Sequence, residues 1–207
     1  MIRIWGRNTS VNVQKVMWAI GELDLPHERI DVGGSFGKNK EPAYLAINPN
    51  GLVPTLEEDG FFLWESNSIV RYLAAKYGAE SLEPKDLRAR ARASSWMDWQ
   101  LSVAGPAITP MFWGLIRTPP EKRDPAAIEA SRERTIGAMG ILDAALAKSA
   151  FLAGEALSMG DIPAALMAYR FRRLVPESSG LDHLERWFVG IEARAAFQQH
   201  VLAIPFV

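Results

Sequence analysis

The sequence predicts an α/β N-terminal domain followed by an all-α helical domain, and three observations carry that reading. Short apolar stretches of strand type alternate with helical stripes as far as Gly78. A small, charged stretch from Ala79 to Pro84, closed by its proline, reads as a linker. Beyond it the apolar spacing is helical in type. The domains are therefore expected at residues 1–79 and 86–207.

The first element is Ile2 to Trp5, short, apolar and bounded by Gly6. Ser10 then caps a helix whose apolar residues fall at Val13, Val16, Met17 and Ile20, with Pro26 as the stop. His27 to Val32 reads as a second strand, joined to the first by a right-handed parallel crossover. Gly33 to Lys40 is a flexible loop, and Pro42 to Ala46 a short helical turn. Asn48-Pro49-Asn50-Gly51 punctuates the backbone as a turn. Thr55 to Glu58 and Phe61 to Trp64 pair as a hairpin through Asp59-Gly60, which accepts the positive φ of a type I′ turn. Ser66 is expected to cap a helix with Ile69, Val70, Leu73, Ala74 and Tyr77 on one face and Gly78 past its end. The order βαββ-type units give here, βαβαββα, is a thioredoxin-like arrangement.

In the second domain, Leu87 to Trp113 is helical in type, and Pro106 and Pro110 should kink or break it. Arg117 to Pro125 is a polar connection and Ala126 to Leu146 another amphipathic helix. Ser158 and Asp161 form a variant capping box, stapled by Leu157 and Ile162, which starts a helix running to Phe171. That spacing assigns Asp161 to structure. Further helices are expected at Leu181 to Ile191 and Arg194 to Leu202.

Composition excludes several functions. With 207 residues, 48% apolar and 23% charged, the chain is of ordinary globular type. A net charge of −1 gives no long-range pull on nucleic acid or an anionic membrane, and no uncharged apolar run is long enough to span a bilayer. There is no cysteine, so disulfides and protein thiol chemistry are absent. His27, His183 and His200 lack ligand-like neighbours, so no metal is expected. The Met1 to Trp5 stretch is a strand rather than a signal peptide, which makes a cytoplasmic location the expectation.

The segment from Asn48 to Tyr77 carries the candidate binding site. A cis bond at Val53-Pro54 would turn the N–H and C=O of Val53 outward, where an extended peptide could pair with them. Ser66, at a helix start, offers a hydroxyl, backbone N–H groups and a positive dipole end to a carboxylate. Glu65 beside it suits an ammonium. An amine and a carboxylate on one carbon, joined to an extended peptide, describe a γ-glutamyl peptide.

The run Asn48-Pro-Asn-Gly-Leu-Val-Pro-Thr-Leu56, followed by Glu65-Ser66 before a helix, resembles the glutathione-binding segment of the glutathione transferase family. The resemblance extends to the Ser158 to Asp161 box and, more generally, over nearly the whole chain. It implies the glutathione transferase architecture, a cis Pro54, Val53 pairing with the cysteinyl backbone, and Glu65 with Ser66 on the γ-glutamyl end. Ser10-Val-Asn12 resembles the serine-type and bacterial nu-class members, which implies Ser10 as thiolate donor and Asn12 as a second donor. Thr9 is the competing hydroxyl. Lys40 is the candidate for the glycyl carboxylate. Phe112, Trp113 and Tyr169 are the candidate walls of an apolar pocket, whereas Trp96 and Trp99 read as core. Arg117, Arg170, Arg172 and Arg173 either favour an acidic co-substrate or form a solvated face.

The resemblance thus implies a homodimeric enzyme that conjugates glutathione, its co-substrate, to a small hydrophobic electrophile. Two alternatives stand beside it: glutathione-dependent reduction of disulfides or peroxides, and a non-catalytic binding module of the same fold.

Overall fold

The structure, a computed structural model, describes residues 1–79 and 81–207; of the expected linker, Glu80 lies outside the described residues. The chain divides into two units, Met1–Glu83 with Arg194–Phe206, and Pro84–Ala193 with Val207. The expected second domain took in residues 194–206, but their contacts lie with the first unit.

In the first unit, strands β1 (Ile2–Trp5), β2 (His27–Ile30), β3 (Thr55–Glu58) and β4 (Phe61–Trp64) form one sheet in the order β2-β1-β3-β4. β1 runs parallel to β2 and antiparallel to β3, with Trp5 opposite Ile30 and Thr55. Helix α1 (Val11–Glu22) connects β1 to β2, and α2 (Pro42–Leu45) precedes β3. Helix α3 (Ser66–Tyr77) follows β4 and packs on α1. Every residue of α1 from Val13 to Ile20 is buried, polar ones included. A single apolar stripe does not require that. The reason is a second covering layer: α9 (Ala195–Phe197) and the turn Gln198–Leu202 pack on α1, setting Phe197 edge-on to Trp18 at 4.8 Å. Arg194 anchors this segment through Glu22, Nε to Oε1 at 2.7 Å.

Three local expectations change. α1 ends at Glu22, four residues before Pro26, because Asp24 turns the chain at φ 49°. β2 ends at Ile30, since Val32 turns its carbonyl to the Arg7 N–H at 3.0 Å and Asp31 pairs with the Arg29 guanidinium. Glu65, not Ser66, holds the cap position of α3, at φ 70° and ψ 112°, and Ser66 is the first helical residue. The left-handed Glu65 reverses the chain directly out of β4, so Ser66 is already helical and its hydroxyl is used sideways.

The second unit is helical: α4 (Leu87–Trp99), α5 (Gly105–Phe112), α6 (Pro125–Leu146), α7 (Asp161–Leu174) and α8 (Asp182–Glu192). α5 packs on α6 and α7, and α6 on α8. The expected proline break is absent. Pro106 follows the helical residues Gln100–Ala104 and Gly105, and the bond it cannot donate is one that this widened turn does without. Widened π turns at Gln100–Ala104 and Trp113–Arg117 flank α5 and absorb the misfit around Pro110. Trp96 and Trp99 are half-buried rather than core, stacked edge to face at 5.0 Å.

Ser158 and Asp161 form the reciprocal bond of a capping box in altered register. Asp161 is fully buried and opens α7 instead of standing at its third position. Its carboxylate accepts from Ser158 N at 2.9 Å, Ser158 Oγ at 2.8 Å, Leu152 N at 3.0 Å and Trp187 Nε1 at 3.1 Å. The Ser158 hydroxyl in turn accepts from Gly160 N at 3.3 Å. Burial pushes the Asp161 carboxyl up to about 6, against the pull of those donors.

Candidate functional site

The Asn48–Gly51 turn sets the geometry of the first unit's site. Asn48 Nδ2 donates to Leu52 O at 2.9 Å and to Thr55 Oγ1 at 3.0 Å, while its Oδ1 accepts from Asn50 N at 3.2 Å. Tyr44 adds a bond from its hydroxyl to Leu52 O at 2.7 Å and lies 2.8 Å from Thr55 Oγ1. Gly51 stands at φ 59°, and a Cβ there would lie 2.7 Å from Asn39 O and 2.8 Å from Lys40 Nζ. Only glycine fits that position. This clamp fixes both ends of the short Leu52–Pro54 segment. The Val53-Pro54 bond within it is cis. Val53 N–H and C=O have no hydrogen-bond partner among the described residues. A main-chain donor and acceptor held side by side in this way can pair with an extended peptide.

At the start of α3, Ser66 is buried and its hydroxyl bridges two side chains of α1. It donates to Asn12 Oδ1 at 3.3 Å and accepts from Lys15 Nζ at 3.3 Å. Because Asn12 Oδ1 is taken, the Nδ2 face of that amide is the one presented elsewhere. Glu65, the residue before Ser66, is exposed, and its backbone lies in the strained left-handed region. Its side chain makes no cap bond to the helix. Ser10 precedes α1 in extended conformation, is only 9% exposed, and its hydroxyl makes no cap bond either. Thr9 is half-buried next to it. Lys40 is exposed and donates to Asn50 O at 3.2 Å, which places its ammonium against the Asn48–Gly51 turn.

Thus Asn12 and Ser66 are joined directly, and Lys40 lies on the turn that leads to Val53. Of the remaining candidates, all in the second unit, Phe112 is buried, Tyr169 nearly so, and Trp113 is 53% exposed. The Arg170 guanidinium carbon stands 3.9 Å from the centre of the Phe112 ring and that of Arg117 5.2 Å. Arg117 also lies 4.9 Å from the Trp113 ring.

Sequence reasoning missed Lys15. It is fully buried, and its ammonium donates to Ser66 Oγ at 3.3 Å and Asn67 Oδ1 at 3.2 Å. The available signal was its place on α1, one turn after Val11 and one before Ala19. That position is interior only once α3 packs on the helix and brings Ser66 and Asn67 to it. Tyr44 was missed as well, because its partners, Leu52 and Thr55, are named by the turn and not by the short helix that carries it.

Residues 5–81 match the family Glutathione S-transferase, N-terminal domain, and residues 105–195 match Glutathione S-transferase, C-terminal domain. Glutathione S-transferase GstB of Escherichia coli (strain K12) is 43% identical over 207 residues, 99% of each chain. The chain is an enzyme of the glutathione S-transferase family. Glutathione S-transferase 3 of Zea mays is 30% identical over 210 residues, covering 99% of this chain and 95% of the maize protein. Among solved structures, a theta class glutathione S-transferase from Xanthomonas axonopodis pv. citri with glutathione bound superposes with a TM-score of 0.94. It is 41% identical, covering 100% of this chain and 99% of that one. The transferase's first unit is accordingly the family's N-terminal, thioredoxin-like domain, and its helical unit the C-terminal one.

Proposed function

We propose that this transferase binds glutathione in its first unit, holds the thiol as thiolate, and adds it to a small hydrophobic electrophile. The observation that carries the reading is the pairing of two features in one unit. Among the described residues Val53 keeps a main-chain donor and acceptor unpartnered, and the α3 start carries the exposed Glu65 next in sequence to Ser66. The first suits the cysteinyl backbone of the tripeptide. The second suits the ammonium and carboxylate of its γ-glutamyl end. Lys40 takes the glycyl carboxylate, and the related Xanthomonas transferase was solved with glutathione bound.

In the mechanism, Ser10 donates its hydroxyl to the glutathione sulfur, and Asn12 Nδ2 is the second donor. A free thiol has a pKa of about 8.5, so lowering it by roughly two units needs about 2.7 kcal/mol of preference for the charged form. A donor to a charged acceptor supplies roughly 1.5–3 kcal/mol and a helix N-terminus about 0.3–2. One buried hydroxyl ahead of α1 therefore suffices, since its burial keeps competing water away. The thiolate attacks the electrophilic carbon, the carbon–sulfur bond forms, and the leaving group departs with its electron pair. Phe112, Trp113 and Tyr169 of the helical unit take the electrophile's apolar body. The reading is completed by a homodimer, for which β4 leaves Phe61, Phe62 and Trp64 exposed, and by the cytoplasm, where glutathione is kept reduced.

The test is retention on a glutathione resin together with turnover of 1-chloro-2,4-dinitrobenzene and of a small disulfide. Retention with faster turnover of the chlorobenzene supports conjugation. Turnover of the disulfide alone would replace it with the reductase reading, and absence of both retention and turnover would leave a binding module.

A further inference from the structure

Four arginines of the helical unit look alike in sequence but stand in different surroundings. Arg172 is neutralised: it pairs with Glu185 at 3.2 Å and Glu192 at 3.0 Å, and stacks on Phe188. Arg170, two residues earlier and on another face of α7, is half-buried and has no carboxylate or other hydrogen-bond acceptor among the described residues. It lies over the ring of Phe112, whose centre is 3.9 Å from the guanidinium carbon. Its closest charged influence is another cation, Arg117, which approaches the same ring at 5.2 Å. Burial and the Arg117 charge together pull the Arg170 guanidinium down to about 10, far from the usual arginine range. A half-buried cation that has no counter-charge among the described residues and lies near a like charge is an arrangement that an anion would relieve.

The shape of the surroundings narrows the anion. Guanidinium forks match the two oxygens of a carboxylate. Trp113 is 53% exposed and carries Arg117 at 4.9 Å from its ring, which offers a flat apolar face next to the charge. Arg117 Nη2 also donates to Val207 O at 3.2 Å, so Arg170 is the principal cation and Arg117 the supporting one. We propose that Arg170, with Arg117 beside it, is a carboxylate-binding site, and that the electrophile conjugated by this transferase carries a carboxylate on an apolar or aromatic body. This rests on the transferase reading and names its acceptor class.

The experiment uses 4-chloro-3,5-dinitrobenzoate and its methyl ester with the full-length protein and glutathione. In both, the thiolate attacks the carbon bearing chlorine, the carbon–sulfur bond forms and chloride leaves; no oxidant or reductant is consumed. Each kcat/KM is divided by the uncatalysed rate with glutathione, which removes the intrinsic reactivity of the two rings. The parent enzyme is expected to favour the carboxylate over the ester by about tenfold or more, Arg170→Gln to lose that preference, and Arg170→Lys to keep part of it. Arg117→Gln should lower it less. A parent enzyme that turns over the ester and shows no preference overturns the carboxylate site and leaves the transferase reading intact, as does a preference that Arg170→Gln leaves unchanged. Calorimetric titration with benzoate decides the site independently of turnover. Saturable binding that Arg170→Gln abolishes and Arg170→Lys retains supports it, and no binding to the parent overturns it. If neither ring is turned over, the transferase reading falls, and the benzoate titration still settles the site.

Discussion

Helices α3 and α7 both start beside a serine and an acidic residue, and they use them in opposite ways. At α7 the pair is turned inward. Asp161 is fully buried, its two oxygens accept four hydrogen bonds, and the Ser158 hydroxyl oxygen accepts one from Gly160 N. At α3 the acid is exposed, its backbone sits at φ 70°, and neither side chain caps the helix. The Ser66 hydroxyl instead ties α3 to Asn12 and Lys15 of α1. The α7 start satisfies its polar groups within the protein, which is what stability asks of a buried carboxylate. In the function proposed above, the α3 start leaves its acid and its helix dipole for glutathione, at a cost in strain. On that reading, capping groups withheld from the helix are what set the α3 start apart from the α7 start.

The largest effect should come from breaking the satisfied start. Asp161→Asn presents an NH2 group to two of the four donors, so two buried donors lose their acceptor. The variant is expected to lose about 3 kcal/mol of stability, or roughly 6–12 °C in Tm, read by thermal melts, with the KM for glutathione unmoved. The pH dependence sharpens the same point. With its folded pKa raised from 3.8 to about 6, Asp161 holds a proton in the folded state that the unfolded chain has already released. Its contribution to stability therefore falls as pH rises from about 4 to 6 and is flat above, on the order of 3 kcal/mol in all. Urea melts across that window should show the slope in the parent and lose it in Asp161→Asn.

Breaking the withheld start should do the reverse. In the proposed reading the Ser66 hydroxyl turns from Asn12 Oδ1 to the ligand carboxylate, so Ser66→Ala is expected to raise the KM for glutathione by about 10- to 100-fold. A KM unchanged in that variant would contradict the assignment of Ser66 to the γ-glutamyl carboxylate. The smallest effect, and the most telling, is Glu65→Gly. Glycine takes φ 70° without strain, so urea unfolding should show a gain of about 0.5–1 kcal/mol while glutathione binds more weakly. A variant that is both less stable and unaltered in binding would dissolve the contrast between the two helix starts.

Much of this was legible in the sequence, for reasons that differ by residue. The β3–β4 hairpin could be placed residue by residue because Asp59-Gly60 leaves the backbone few options, and the order of elements followed from periodicity. Ser158 and Asp161 were legible as a structural pair because the box is local, although not in their observed register. Lys15 was not, since its burial depends on α3, whose Ser66 and Asn67 receive its ammonium from about 50 residues further along the chain. The cap at α3 was misplaced by one residue because serine's preference for cap positions says nothing of a neighbouring glutamate held in the left-handed region. The arginines of α7 could not be sorted either. Arg170 and Arg172 differ only in what faces them, Phe112 with Arg117 in one case and Glu185 with Glu192 in the other.

The central claim is that the Ser10 hydroxyl holds glutathione as its thiolate. The most direct measurement is the thiolate absorbance of bound glutathione as a function of pH, in the parent enzyme and in Ser10→Ala. The account predicts an apparent pKa about two units below that of a free thiol in the parent, rising back toward about 8.5 in the variant, with kcat/KM for a chlorodinitrobenzene falling about 100-fold. A bound thiol that titrates at the same pH in both proteins would contradict it.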